Sequence, residues 1–159
     1  MKQLSLPYLD KVLSFMVTLS FLLMIGVVIL QIVARYALPW SPNWTEEMAR
    51  FCFIYMVSLA AGLAVKDRAY VSVNTFLDKM SPKARWVTEI FILLCIIVLM
   101  MVMFIFSIPL ARIVSLQISP ALQLNMSVMY AAMGFMGLLV SLYSMLQLIE
   151  MLKYKPHLK

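Results

Sequence analysis

The chain has 159 residues, 64% of them hydrophobic and only 13% charged, with a net charge of +6 at pH 7. Soluble monomers rarely expose apolar patches beyond a few hundred Å², so a soluble domain of this length cannot hide so much apolar surface. The composition is that of a single-domain, all-α integral membrane protein. The basic residues sit at helix ends and in loops, which is a topology signal and not a nucleic-acid footprint.

Residues 12–34 carry no charge. As a helix they reach about 34 Å at 1.5 Å per residue, enough to span. Lys2 and Lys11 precede the run as they would in a signal peptide, but the run is too long for a signal core and is expected to stay as a first span over 12–36. Arg35 stands at its far end, where it can snorkel to the headgroups.

A polar stretch follows, Trp40-Ser41-Pro42-Asn43-Trp44-Thr45-Glu46-Glu47-Met48-Ala49-Arg50, set between two long apolar runs. Asn43 with Glu46 three residues later spells a capping box, and Ser41 with Pro42 is an equally good helix start. Either choice puts Glu46 and Glu47 in the first turn, where the helix dipole favours negative charge. Arg50 lies four residues after Glu46 and three after Glu47, so it can reach either. Trp40 and Trp44 suit the headgroup level. The stretch reads either as a capped, belt-anchored helix start or as an ion-pair patch that docks another protein, with Arg35, Trp44, Glu46, Glu47 and Arg50 as the candidate interface.

The second span extends over about 44–66, with Arg50 and Lys66 reaching outward. Ser58 and Gly62 form a small-xxx-small face that lets helix backbones approach closely. The loop after it is the most charged part of the chain. Within it Val73, Phe76, Leu77 and Met80 recur at helical spacing, predicting a short amphipathic in-plane helix over 71–80. Lys66, Arg68, Lys79, Lys83 and Arg85 are the residues expected at the lipid interface there. Ser81 and Pro82 make an N-cap and first-turn pair, opening a third span over 85–112 in which Glu89 can pair with Arg85 and Pro109 predicts a kink. Ser119 to Asn125 break the apolar pattern with no charge. A fourth span over 126–150 carries Gly134 and Gly137 on another close-packing face.

Lys/Arg counting sets the orientation. Ten basic residues fall on one side, in the amino end, the central loop and the tail; Arg35, Arg50 and Arg112 fall on the other. Both termini are therefore expected in the cytoplasm, with the 40–50 stretch and the 119–125 turn facing outward.

The span middles hold no ionisable residue, so the usual mark of a solute path is missing. The one histidine, His157, is in the tail, so the spans offer no histidine to a haem. Cys52 and Cys95 stand apart with no metal-ligand spacing and read as small apolar residues. No nucleophile–base pair or phosphate loop is present. No catalytic residue, metal or cofactor is expected, and the fifteen methionines read as apolar filler. By subtraction the chain is a scaffold with packing faces and one charged outer patch.

The same residues resemble a known family. Arg35-Tyr36 and Trp44-Thr45-Glu46-Glu47-Met48-Ala49-Arg50 look like the signature of the small membrane subunit (DctQ-like, the Q subunit) of tripartite ATP-independent periplasmic (TRAP) transporters. Ala64 to Asn74 stand in the place of its motif after the second span, with Tyr70 where many members have histidine and Asn74 where many have an acid. Ser119-Pro120-Ala121-Leu122-Gln123-Leu124 and Tyr130-Ala131-Ala132 resemble the turn before its last helix, with Asn125 where a proline is common. The resemblance implies a sodium-gradient-driven importer of organic acids such as C4-dicarboxylates, sialic acid or other sugar acids. It implies two protein partners, a large elevator-type membrane subunit (M) and a periplasmic substrate-binding protein (P), in the bacterial inner membrane among its lipids. The small subunit would brace the large one and contribute to docking. Two other classes compete: an autonomous homo-oligomeric small transporter, and a membrane anchor for a redox complex.

Overall fold

Backbone polar groups in hydrocarbon need partners inside the protein, and a helix supplies them from its own chain. The apolar runs accordingly fold as helices. The computed structural model describes residues 7–37, 42–67 and 81–153. These form α1 (Pro7–Ala37), α2 (Trp44–Lys66), α3 (Pro82–Val114) and α4 (Ser127–Lys153). All four are long and apolar enough to cross a membrane. Even α2, the shortest at 23 residues, reaches about 34 Å at 1.5 Å per residue. The fold is an all-α, four-span membrane architecture. Among the described residues there is no strand, only an isolated antiparallel bridge between Ile118 and Asn125. The in-plane helix expected over 71–80 lies outside the described residues.

The helix starts differ in how they are capped. Ser81 caps α3, its hydroxyl accepting from the Ala84 N–H at 3.4 Å, with Pro82 in the first turn. The capping box expected at Asn43 does not form: Asn43 makes no side-chain cap bond. Thr45 ties the entry of α2 instead, donating both its N–H (3.3 Å) and its hydroxyl (2.7 Å) to the Pro42 carbonyl. Glu46 is drawn away from the cap by Arg50, at 3.2 Å. Pro109 lies inside α3, which continues past it to Val114.

The order in space differs from the order in sequence. The main interfaces are α1 with α2, α2 with α4, and α4 with α3, giving a row α1–α2–α4–α3 and not a closed square. The core sits in the middle of the row, where Leu13 of α1, Leu59 and Val65 of α2, and Leu139, Val140 and Tyr143 of α4 cluster. The flanking helices α1 and α3 leave most of their apolar surface uncovered.

Between helices in lipid, close packing replaces the hydrophobic effect as the source of affinity, and small residues permit it. A Cβ at Gly62 would come within 2.9 Å of Leu139 Cβ and 3.4 Å of the Tyr143 ring. At Gly137 it would meet backbone, 2.8 Å from the Met100 carbonyl oxygen and 3.0 Å from the Phe104 nitrogen. Helix α4 therefore touches α2 through the Gly62 face and rests on the α3 backbone at Gly137. Gly134 faces the Ser107 hydroxyl in the same interface.

Candidate functional site

Two polar constellations sit at opposite ends of the helices. The first is built on the opening turn of α2. Glu47 is half-buried, and its carboxylate points into the connection between α3 and α4. The Ser119 hydroxyl donates to it in a short hydrogen bond. The backbone N–H of Leu122 donates at 2.9 Å and that of Ala121 at 3.2 Å. Successive backbone donors of this kind form an anion-binding nest, filled here by a side chain of the same molecule.

The nest has its own framework. Ser119 donates its N–H to the Leu124 carbonyl at 2.8 Å, Gln123 to the Ser119 carbonyl at 3.0 Å, and Met126 to the Gln117 carbonyl at 3.0 Å. Gln123 takes φ = 53° to complete the turn. Asn125 then braces the start of α4: its amide donates to the Ser115 carbonyl at 2.8 Å, and its oxygen accepts from the Ser127 N–H at 2.9 Å. From α2, the Tyr55 hydroxyl donates to the Val128 carbonyl at 2.6 Å. The first turns of α2 thus hold the whole α3–α4 connection.

Around this knot the other candidate residues face outward. Glu46 and Arg50 form their ion pair in the open, with more than half of each side chain exposed. Trp44 is 41% exposed. Arg35 is exposed in the last turn of α1, which leads toward the same end. The two carboxylates of the Glu-Glu pair therefore differ in circumstance: Glu46 is on the surface with Arg50, and Glu47 is engaged within the chain.

Composition and spacing did not single out the second constellation. Asp10 of α1 is 8% exposed. It receives a hydrogen bond from the Tyr143 hydroxyl of α4 at 2.5 Å and an ion pair from Lys66 of α2 at 2.9 Å. Three helices meet on one carboxylate. The signal was available: Asp10 lies three residues before Leu13 and seven before Val17, on the stripe that faces the core, and Lys66 continues the Ser58–Gly62 spacing. Lys66, expected at the lipid interface, thus points its ammonium to Asp10. Of the others named for that interface, Lys83 is exposed and Arg85 pairs with Glu89 at 2.9 Å. Arg68 and Lys79 lie outside the described residues. Among the described residues no cluster of histidine, cysteine or acidic side chains has the makings of a metal site.

Comparison with known proteins bears on what this arrangement is for. A family model described as tripartite ATP-independent periplasmic transporters, DctQ component, matches residues 24–154. A Haemophilus influenzae protein described as a TRAP transporter small permease is 29% identical over 125 residues, covering 79% of this chain and 76% of the relative. The sialic acid TRAP transporter small permease protein SiaQ of Vibrio cholerae is 36% identical over 62 residues, 39% of this chain and 36% of the relative. The isethionate TRAP transporter permease protein DctMQ of Oleidesulfovibrio alaskensis is 34% identical over 89 residues, 55% of this chain but only 14% of that much longer protein.

Proposed function

This chain belongs to the DctQ component family of tripartite ATP-independent periplasmic transporters, and from that premise we propose that it is the non-translocating brace of a sodium-gradient-driven importer of an anionic organic acid. The observation that carries the reading is the combination of an empty interior with uncovered flanks. Among the described residues, the Asp10–Lys66 ion pair reaches the helix interfaces closed on itself and on Tyr143, leaving no unpaired charge there to grip a solute. The broad apolar faces of α1 and α3 meanwhile ask for cover by lipid or by a larger membrane partner.

That partner is the large permease subunit. The match to a short part of a long permease protein supports a stoichiometric association, since a similar segment there shares a polypeptide with the rest. In this reading the whole chain is one membrane domain in the bacterial inner membrane, with both termini cytoplasmic and the Glu47 knot on the periplasmic side. Glu47 stiffens the outer turn, while Glu46, Arg50, Trp44 and Arg35 meet the large subunit and the docked binding protein. The relatives named for sialic acid and isethionate support a carboxylate or a sulfonate as the substrate in this reading.

The test is reconstitution. Proteoliposomes holding this chain alone are expected to take up none of a panel of sugar acids, dicarboxylates and sulfonates. Adding the large subunit and binding protein is expected to give sodium-dependent uptake of one of them. Uptake by the single chain would refute the brace reading.

A further inference from the structure

A groove of about 500 Å³ opens between α3 and α4, near the Ser119 turn. Small residues carve it: Ala111 on α3, and Ala131 and Gly134 on α4. Phe104, Ile108, Phe135 and Leu138 give it apolar walls. From Phe104 to Ser115 it follows about 16 Å of helix at 1.5 Å per residue. One ionisable side chain lines it, Arg112, exposed in the last turn of α3 and without an ion pair among the described residues.

The polar atoms around Arg112 narrow the choice of ligand. The hydroxyls of Ser107, Ser115 and Ser127 are spent on backbone carbonyls, donating to Phe104 at 2.7 Å, Arg112 at 2.6 Å and Ala111 at 2.6 Å. Each keeps lone pairs that can accept but no proton to donate. Donors for an anion therefore come from the Arg112 guanidinium, whose planar fork suits phosphate oxygens. A cation at headgroup depth above an apolar slot matches an amphiphile with a phosphate at one end and hydrocarbon at the other. Basic pockets between membrane helices bind lipid headgroups by this logic. A helix of a protein partner would fill the slot but leave the arginine wanting an acid.

We propose that this groove is a binding site for one glycerophospholipid of the adjacent leaflet, its phosphate on Arg112 and an acyl chain laid along Phe104, Ile108, Phe135 and Leu138. The leaflet is the periplasmic one if the orientation given above holds; the site itself does not depend on the transport reading. A lipid held there fills the outer edge of the row beside α3 and joins the brace to the surrounding bilayer.

Native mass spectrometry of the purified full chain in detergent, titrated with dioleoylphosphatidylglycerol, tests the proposal. One tightly retained lipid is expected. Arg112→Ala should weaken retention about tenfold, in the range of a lost charge-assisted hydrogen-bonded pair, and Arg112→Lys should restore most of it. Ala131→Phe, which fills the slot while leaving the arginine, should also weaken it. Dioleoylglycerol, which lacks the phosphate, should not be retained. Equal retention by all variants, or equal retention of dioleoylglycerol, would overturn the assignment. So would a disulfide from an Ile108→Cys variant to a single-cysteine large subunit in the assembled complex, since the slot would then hold protein. None of these readouts involves transport, so their failure leaves the brace reading standing.

Discussion

Glu47 and Asp10 are both carboxylates that join helices distant in sequence, and each is committed to donors within the chain. At Glu47 the donors are a hydroxyl and two backbone N–H groups. Glutamine at this position would keep one oxygen but oppose the turn's N–H groups with an amide that also donates. In the Glu47→Gln variant, amide exchange at Ala121 and Leu122 is expected to quicken about tenfold, read by hydrogen–deuterium exchange in detergent. Unchanged exchange would mean that the Ser119–Leu124 and Gln123–Ser119 bonds suffice to hold the turn. At Asp10 the partners are a cation and a phenol. Removing one member of a buried pair strands the other, whereas removing both does not. Lys66→Met alone should therefore cost on the order of 3 kcal/mol. The Asp10→Asn, Lys66→Met double variant should cost clearly less than the sum of the singles. Thermal unfolding of the four proteins closes that cycle; strict additivity would show that the pair is not coupled.

The pairs of helices are held by surface relief more than by polar contacts. At Gly137 the α3 backbone lies so close that any Cβ must push the helices apart, because the Met100 carbonyl oxygen at 2.8 Å and the Phe104 nitrogen at 3.0 Å cannot rotate away as a side chain could. Gly137→Val is expected to lower stability by about 1–3 kcal/mol, the usual range for overpacking. Gly26 of α1 has nothing within 4 Å, so Gly26→Ala in the isolated chain should be neutral or gain up to about 1 kcal/mol from helix propensity. Thermal unfolding of both variants checks the contrast. If the two glycines behaved alike, backbone propensity and not contact would govern them.

At the scale of the molecule, a row of four helices has more surface per residue than a closed bundle. Its middle members, α2 and α4, carry the core, and its outer members lean on them from one side each. The polar constellations clamp this row at opposite ends of its helices: the Glu47 knot ties α2 to the α3–α4 turn, and Asp10 ties α1 to α2 and α4. In the brace reading proposed above, such a clamped slab with wide apolar faces is the part that holds still beside one that moves. The expected silence of the single chain in proteoliposomes follows from the same geometry.

The four long apolar helices could be read from residue order, because hydrophobic run length is measured against a fixed bilayer thickness. So could the Arg85–Glu89 and Glu46–Arg50 pairings, which need only helical spacing. Spacing also marks Ser58, Gly62, Gly134 and Gly137 as faces, but not the neighbours that lie on them. The tertiary structure alone decided that α4 sits between α2 and α3, that Glu47 turns inward while Glu46 stays out, and that Lys66 pairs with Asp10. The contacts behind them include Glu47 with Ser119, 72 residues apart, and Asp10 with Tyr143, 133 apart. Local periodicity gives each helix an inner face; only the packed arrangement determines which carboxylate meets which donor across it.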